Sequence, residues 1–325
     1  YIHHCLSVAV ILARMNLDST TLVAGLLHDV IEDTDVTRDD VEEEFGVQVA
    51  TIVDGVTKIG ELHFRSPEER HAENWRKMLL AIARDLRVIL IKLADRLHNM
   101  RTIDALAEHR KKAIAEETLN VYAPLAHRFG IARIKWELED LAFKVLRPAD
   151  YASVASGIQD RRTERESIIN EFRTRLNEHL VDEGIEAEIQ GRPKHFYSIW
   201  KKMQRRNAPV DKIFDLLAVR IVVKQVSECY HALGIIHANW RPIHDRLKDF
   251  VASPKRNMYQ SLHSTIHGPD GHIIEIQIRT EEMHRRAEVG IAAHWLYKEG
   301  GEASTEGRLD EQLRSFREAL ELQQD

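Results

Sequence analysis

The chain has 325 residues, about twice an ordinary ~150-residue domain, so two domains are the expectation. Its 46 Lys and Arg against 52 Asp and Glu leave a net charge of −6, which argues against attachment to nucleic acid or membrane by bulk charge. With 43% hydrophobic and 30% charged residues it is a folding sequence and not a disordered one, and no apolar run approaches the ~20 residues that span a bilayer.

From Tyr1 to about Pro148 the apolar period is helical. Leu6, Val10 and Ala13 recur at helical spacing, as do Leu22, Leu26 and Val30, then Ile52, Val56 and Ile59. Thr37 with Asp39 and Asp40 reads as a helix start and Gly46 as a stop. Arg87 to Leu97 (RVILIKLADRL) reads as a buried helix, and residues 1–148 as an all-α domain. Residues 149–182 are helical and highly charged, with too few apolar positions for a core, so they read as a connecting helix pair. Beyond Gly184 the period shortens to two, with strands expected at Ile185–Gln190, Leu216–Val223, Ser261–His267 and Ile273–Ile278. Helices are expected at His195–Arg206, Val226–Ala238 and Glu281–Tyr297, making residues 183–298 an α/β domain with four or five strands. A tail at 299–325 carries an amphipathic helix over Leu309–Leu322. The opening at Tyr1, inside a helical pattern and without Met, reads as a fragment whose first residues are missing. Cys5 and Cys229 are too few for a disulfide framework, which points to a reducing cytoplasm.

Among 18 histidines, His28-Asp29 stands out on an otherwise apolar helical stretch (LVAGLLHDVIED). With His4 on the first helix and Asp95 in KLADRLHNM it forms an ordered set of two imidazoles and two carboxylates able to converge on one divalent ion. Such a nitrogen–oxygen set suits Mn, Fe, Co or Zn better than Mg or Ca. Glu32 and Asp33, about one turn beyond His28, either orient an attacking water and protonate a leaving group or are plain surface acids.

A second set is basic. Arg192, Lys194, Lys201, Lys202, Arg205 and Arg206 fall in one stretch with no acid, and Lys194, Ser198, Lys202 and Arg205 recur at helical spacings of four and three. That face suits a polyphosphate; a solvated basic helix or an RNA-binding patch is the alternative from these residues alone. Asp215 at the opening of one strand and Glu275 in another form a carboxylate pair of the type that holds Mg2+ on a triphosphate. Between them, RLKDFVASPKRNMYQSLHST offers Arg246, Lys248 and Lys255 for phosphate, Tyr259 for base stacking and His263 for hydrogen bonding. Neither a Walker A sequence nor a GxGxxG fingerprint is present.

The ordered His4, His28-Asp29, Asp95 set matches the HD phosphohydrolases. YIHH, LLHDVIEDT, VDGVTK, KLADRLHNMRT, YAPLAHRFG and KWELEDLAF resemble the hydrolase domain of the RelA/SpoT family of guanosine tetra- and pentaphosphate enzymes. GRPKH, FDLLAVR, RLKD, YQSLH and EIQIRT resemble its synthetase domain. The resemblance implies an all-helical HD-type domain followed by a nucleotidyltransferase-like mixed-sheet domain, and a bifunctional enzyme of the stringent response. One activity moves pyrophosphate from ATP to the 3′-OH of GDP or GTP, and the other hydrolyses (p)ppGpp with a metal. It implies that His4, His28, Asp29 and Asp95 bind Mn2+, that Glu32-Asp33 is the hydrolytic acidic pair, and that Asn99 and Thr102 help hold the nucleotide. In the second domain it implies that Arg192 and Arg220 flank adenine, and that Lys194, Ser198, Lys202 and Arg205 hold the ATP phosphates. Asp215 and Glu275 would bind Mg2+, Glu275 also helping to deprotonate the acceptor hydroxyl. Tyr259 would stack on guanine with Lys255, Asn257, His263 and Gln277 nearby. RLKD at 246–249 is the basic form found in bifunctional members. Ribosome and tRNA would be engaged only through a C-terminal region outside this sequence; no membrane partner is implied and the oligomeric state is open. The runner-up from the residues is an HD hydrolase of other nucleotides with a second half that only binds.

Overall fold

The computed structural model describes residues 2–60, 85–159, 162–192, 194–209 and 217–290. They fall into two compact units, one ending at Leu106 and the other spanning Ala107–Gly290. Among the described residues no helix is long and apolar enough to cross a membrane.

The first unit is helical. Helix α1 (Ile2–Ala13) buries Val8, Ile11 and Leu12 and leaves Leu6 and Val10 about half exposed, at 48% and 49%. The expected helix is therefore present, but the Leu6–Val10 stripe is its outer side. His4, Val8 and Ile11 recur at spacings of four and three and so share the inner side, which turns the imidazole into the protein. Asp18 opens α2 (Ser19–Leu26), its carboxylate accepting the Thr21 N–H at 2.9 Å while Arg87 Nη1 reaches its other oxygen at 3.1 Å. A Cβ at Gly25 would meet the tip of the buried Leu12 side chain, which would have to shift to admit it. The His28-Asp29 pair, expected inside a helix, instead lies in the turn between α2 and α3 (Val30–Asp33). The turn is held by Leu27 N–H donating to Val23 O and Val30 N–H donating to Leu27 O. Thr37 caps α4 (Arg38–Phe45) in the expected position, in a reciprocal box with Asp40, and Gly46 ends it at φ +86°. Helix α5 (Val47–Gly60) buries Ile52, Val56 and Ile59. Helix α6 (Arg87–Arg101) is the centre of the unit, with Val88 through Asp95 buried.

The second unit begins with α7 (Glu108–Glu117), a single π-turn at Thr118–Tyr122, α8 (Ala123–Arg128), α9 (Ala132–Leu146), α10 (Pro148–Gln159) and α11 (Arg162–Asp182). These precede β1 (Glu188–Gly191), α12 (Phe196–Arg206), β2 (Leu217–Val223), α13 (Val226–Asn239), β3 (Lys248–Asp249), β4 (Leu262–His267), β5 (Ile273–Thr280) and α14 (Glu281–Val289). The sheet has five strands in the order β1-β2-β5-β4-β3. Only β2 and β5 run parallel; every other pair is antiparallel, so the sheet is mixed as expected.

One sheet face is the core: Leu217, Val219, Ile221 and Val223 of β2, Ile274, Ile276 and Ile278 of β5, and Leu262 and Ile266 of β4. Against them pack Cys229, Ala232 and Ile236 of α13 and Ile168, Phe172, Leu176 and Leu180 of α11. Helix α11 thus overturns the reading of 149–182 as too poor in apolar residues to build a core. One residue in four is enough when the opposing surface is an apolar sheet, and the charges occupy the remaining sides. The first strand begins three residues later than expected, because Ile185, 3% exposed, turns into the core ahead of it. Residues 291–297 of the expected last helix, and all of the tail helix, lie outside the described residues.

Candidate functional sites

In the first unit, α1 supplies His4, the α2–α3 turn supplies His28 and Asp29, and α6 supplies Asp95. Their donor atoms meet. His4 Nε2 lies 3.2 Å from His28 Nε2, 3.3 Å from Asp95 Oδ1 and 3.6 Å from Asp29 Oδ2. His28 Nε2 lies 3.1 Å from Asp29 Oδ2 and 3.9 Å from Asp95 Oδ1. Donors held ~2.1 Å from one ion in a tetrahedral shell sit ~3.4 Å apart. The donors of His4, His28 and Asp29 gather on that scale, all within 4.8 Å of one another, and Asp95 Oδ1 adjoins them through His4 and His28. The chemistry agrees. His28 Nδ1 donates to Gly25 O at 2.8 Å, and a carbonyl can only accept, so in neutral His28 the Nε2 lone pair is what faces the Asp29 carboxylate. Such a gathering of lone pairs and anions needs a cation or a proton at its centre. The group fits a divalent metal.

Burial would lower the His28 pKa, but the hydrogen bond that a protonated His28 ring donates to Asp29, with the charges of Asp29 and Asp95, outweighs it and raises it. Burial would raise Asp95, yet His4 and Lys92 hold it well below the ordinary carboxylate range. Lys92 Nζ is 3.2 Å from Asp95 Oδ2, and Asn99 Nδ2 donates to Asp95 Oδ1 at 2.7 Å. Asn99, expected at the nucleotide, therefore first steadies a carboxylate of the cluster. Thr102 closes α6 with its hydroxyl donating to His98 O at 3.1 Å. Glu32 and Asp33 lie on α3, exposed; partial desolvation, with Asp29, Asp33 and Asp95 nearby, raises the Glu32 pKa against the pull of Lys92.

In the second unit the sheet face opposite the core is polar. Register sets Ala218 beside Glu275, Arg220 and His263 on either side of Gln277, and Lys248 beside His263. Glu275, Gln277, Arg279, Arg220, His263 and Lys248 therefore share one surface. Lys194 Nζ pairs with Glu275 Oε2 at 2.8 Å and Gln277 Nε2 donates to Glu275 Oε1 at 3.2 Å. Burial would raise Glu275, but Lys194, Arg192 and Lys202 lower it. Lys194 precedes α12, which starts at Phe196, so only Ser198, Lys202 and Arg205 form the expected helical row. Asp215, the other expected carboxylate, lies outside the described residues.

Among the described residues, the Nε atoms of Arg192, Arg220 and Arg279 are buried without a hydrogen-bond partner. Three guanidinium donors left unsatisfied in one region suit a polyanion. Burial and its neighbour Arg220 bring Arg279 down to about 10, and Glu288 of α14 partly offsets the charge, lying 3.4 Å from Arg220 and 3.3 Å from Arg279. Arg192 and Arg220 both line a cavity of about 500 Å3, together with Trp136, Asp140, Tyr151 and Phe196. The Arg192 guanidinium lies 4.8 Å over the Trp136 ring, which stacks on His195 at 4.5 Å. Arg246 and Lys248 are exposed on the approach to β4. Tyr259 shares a 2.8 Å hydrogen bond with His263 Nε2 and carries Lys255 Nζ 5.0 Å over its ring. Burial brings His263 down to about 4. Asn257 Oδ1 accepts the Tyr259 N–H at 3.3 Å, and its Nδ2 donates to His127 O at 3.1 Å.

Residue-type reasoning missed Trp136, Asp140, Arg279 and Glu288. Trp136 and Asp140 stood in KWELED and Arg279 in EIQIRT, strings read only for their resemblance, and Glu288 had no signal at all.

Residues 1–132 match the model of the HD domain, and residues 191–302 match that of a region found in RelA/SpoT proteins. The chain is 48% identical, over 100% of its length, to a probable guanosine-3′,5′-bis(diphosphate) 3′-pyrophosphohydrolase of Synechocystis and to a GTP pyrophosphokinase of Myxococcus xanthus. It is equally 48% identical to the bifunctional (p)ppGpp synthase/hydrolase SpoT of Escherichia coli. It spans 43% of each of the first two relatives and 46% of the third. An HD cluster in the first unit, a cationic mixed sheet in the second and this identity across both place the chain in the RelA/SpoT family.

Proposed function

We propose that this chain makes and breaks the 3′-diphosphate of guanosine nucleotides at two separate sites. Residues 183–298, with α11 as part of their core, transfer a diphosphoryl group from ATP to the 3′-OH of GDP or GTP. Residues 1–148 hydrolyse the resulting (p)ppGpp to GDP or GTP and pyrophosphate. The observation that carries the reading is the meeting of the His4, His28 and Asp29 donors within 4.8 Å of one another, with Asp95 Oδ1 3.3 Å from His4 Nε2, from three remote segments of the sequence. A cytoplasmic setting fits its two free cysteines, Cys5 and Cys229.

For hydrolysis, His4, His28, Asp29 and Asp95 hold the metal, Mn2+ in this reading. When bound, that ion supplies Lewis acidity to a water and to the 3′-diphosphate. Asn99 and Lys92 steady Asp95 so that both imidazole nitrogens keep their inward aim. Glu32, with its raised pKa, and Asp33 lie next to the pair to orient water and deliver the proton that the departing 3′-oxygen needs. Thr102, exposed at the end of α6, is assigned with Asn99 to hold the nucleotide.

For transfer, Arg192 and Arg220 flank the adenine, while Lys194, Ser198, Lys202 and Arg205 bind the phosphates, with Arg246, Lys248 and Lys255 guarding the approach. Asp215 and Glu275 hold Mg2+. Glu275 stays ionised because of Lys194, Arg192 and Lys202, and so accepts the hydrogen bond and then the proton of the 3′-OH. The 3′-oxygen bonds to the β-phosphorus, the bond from that phosphorus to the α–β bridging oxygen breaks, and AMP departs. Catalysis is then mostly alignment and cationic stabilisation of phosphoryl charge. Tyr259 stacks on guanine, with Asn257, His263 and Gln277 as edge partners.

The test is product analysis on the purified chain. ATP and GDP with Mg2+ should give ppGpp and AMP, and ppGpp with Mn2+ should give GDP and pyrophosphate. Release of single phosphate, or turnover of unrelated nucleoside phosphates in preference to ppGpp, refutes the reading and favours an HD hydrolase of other substrates.

A further inference from the structure

His98 has no part in the account above, yet it touches the metal cluster from behind. His4 Nε2 looks inward, 3.2 Å from His28 Nε2 and 3.3 Å from Asp95 Oδ1. Its other nitrogen, Nδ1, lies 2.7 Å from Nδ1 of His98, with the rings at 63°. We propose that His98 is a positioning residue that accepts the His4 Nδ1–H and so keeps the His4 Nε2 lone pair turned into the cluster. The proposal rests on the metal-site reading and extends it to a residue outside the four assigned ligands.

Two nitrogens 2.7 Å apart share a single proton, and only its owner is in question. If His98 donated, the remaining proton of neutral His4 would sit on Nε2, aimed at the donor atoms of His28, Asp29 and Asp95, and His4 could not ligate. If His4 donates, Nε2 is free. A ligand imidazole needs an acceptor at its back nitrogen, and both imidazoles have one: Gly25 O for His28 at 2.8 Å and His98 Nδ1 for His4. The two are not equivalent, because a carbonyl can only accept whereas an imidazole can do either. His98 also lies three residues beyond Asp95 on α6, and Asn99 lies four beyond, so one helical turn presents a ligand, the donor that steadies it and the acceptor behind His4.

The test is Mn2+ binding followed by electron paramagnetic resonance on the full chain, without nucleotide. His98→Ala should weaken binding about 10- to 100-fold, the usual effect of losing an outer partner of a metal-ligating histidine. His98→Asn, whose side-chain oxygen can sit near the position of the lost Nδ1, should return affinity to within about 3-fold, which a role in packing alone does not predict. Equal affinity in His98→Ala and the parent overturns the proposal, as does a His98→Asn no better than His98→Ala. His28→Ala serves as the reference. If it too leaves Mn2+ binding unchanged, the metal-site reading has failed, and not the role of His98 alone. Should His98→Ala not fold, nitrogen-15 histidine spectra of the Zn2+-loaded parent decide: His4 must carry its proton on Nδ1, and a proton on Nε2 refutes the assignment.

Discussion

Asp140 offers a perturbation whose size follows from its contacts. It lies on α9, and its Oδ1 accepts the Tyr197 N–H at 2.8 Å while Oδ2 lies 3.5 Å from His195 Nδ1. Tyr197 is the second residue of α12, whose preceding residue, His195, makes no side-chain cap of its own. Asp140 thus serves as the missing cap, from 57 residues away. Losing a capping oxygen costs about 0.5–2 kcal/mol, and losing a negative charge at a helix N-terminus a further 0.3–1 kcal/mol or so when partly shielded. The first turn of α12, next to Ser198 and ahead of Lys202, would then have to be ordered by ATP itself. A cost of about 1–2 kcal/mol drawn from binding is roughly a 5- to 30-fold rise in KM for ATP in Asp140→Ala. Asp140→Asn, which keeps an acceptor, should show less than half of the free-energy change. The assay is ppGpp synthesis at varied ATP, with ppGpp hydrolysis by the same preparation as the internal control. An unchanged KM for ATP, or an equal loss of hydrolysis, refutes the reasoning.

His263 gives a pH signature. Its pKa is about 4 in the folded protein against about 6.5 in an unfolded chain, so between these values the unfolded state binds the extra proton and stability falls as pH falls. At pH 5 the loss is about 2 kcal/mol relative to pH 8, and urea midpoints of the second unit should lose that slope in His263→Gln; an identical slope in the variant contradicts it. Gly25→Ala should cost about 1–3 kcal/mol from the collision with Leu12 and, by shifting the Gly25 carbonyl away from His28, should weaken Mn2+ binding as well. A thermal melt and a metal titration matching the parent would show that α1 and α2 are not locked at this point.

Much of this architecture could be read from spacing. The Thr37–Gly46 helix signals, the buried run after Arg87 and the alternation of IIEIQI each have one physical solution and were found where expected. The departures share a cause: each depends on what lies across from the element. Periodicity finds Leu6 and Val10 on one side of α1, but the side that is buried carries Val8, Ile11 and Leu12, packed toward Gly25 of α2, with His4 turned to His28. His28 and Asp29 look helical because the turn that carries them is apolar on both flanks and is closed by backbone and ring hydrogen bonds, with no proline or glycine pair to mark it. Helix α11 looks like a spacer until the sheet beneath Phe172 and Leu176 is known. The cluster residues and the strand residue Glu275 were legible as residue types, whereas Asp140, Glu288 and His98 have partners dozens of residues away, which no local pattern encodes.

The most direct measurement crosses two variants with two reactions. His28→Ala should lose release of pyrophosphate from ppGpp by more than 100-fold and keep ppGpp synthesis from ATP and GDP, and Glu275→Gln should do the reverse. Loss of both reactions in either folded variant would contradict two separate centres, and retention of hydrolysis in His28→Ala would remove the imidazole–carboxylate cluster from the chemistry.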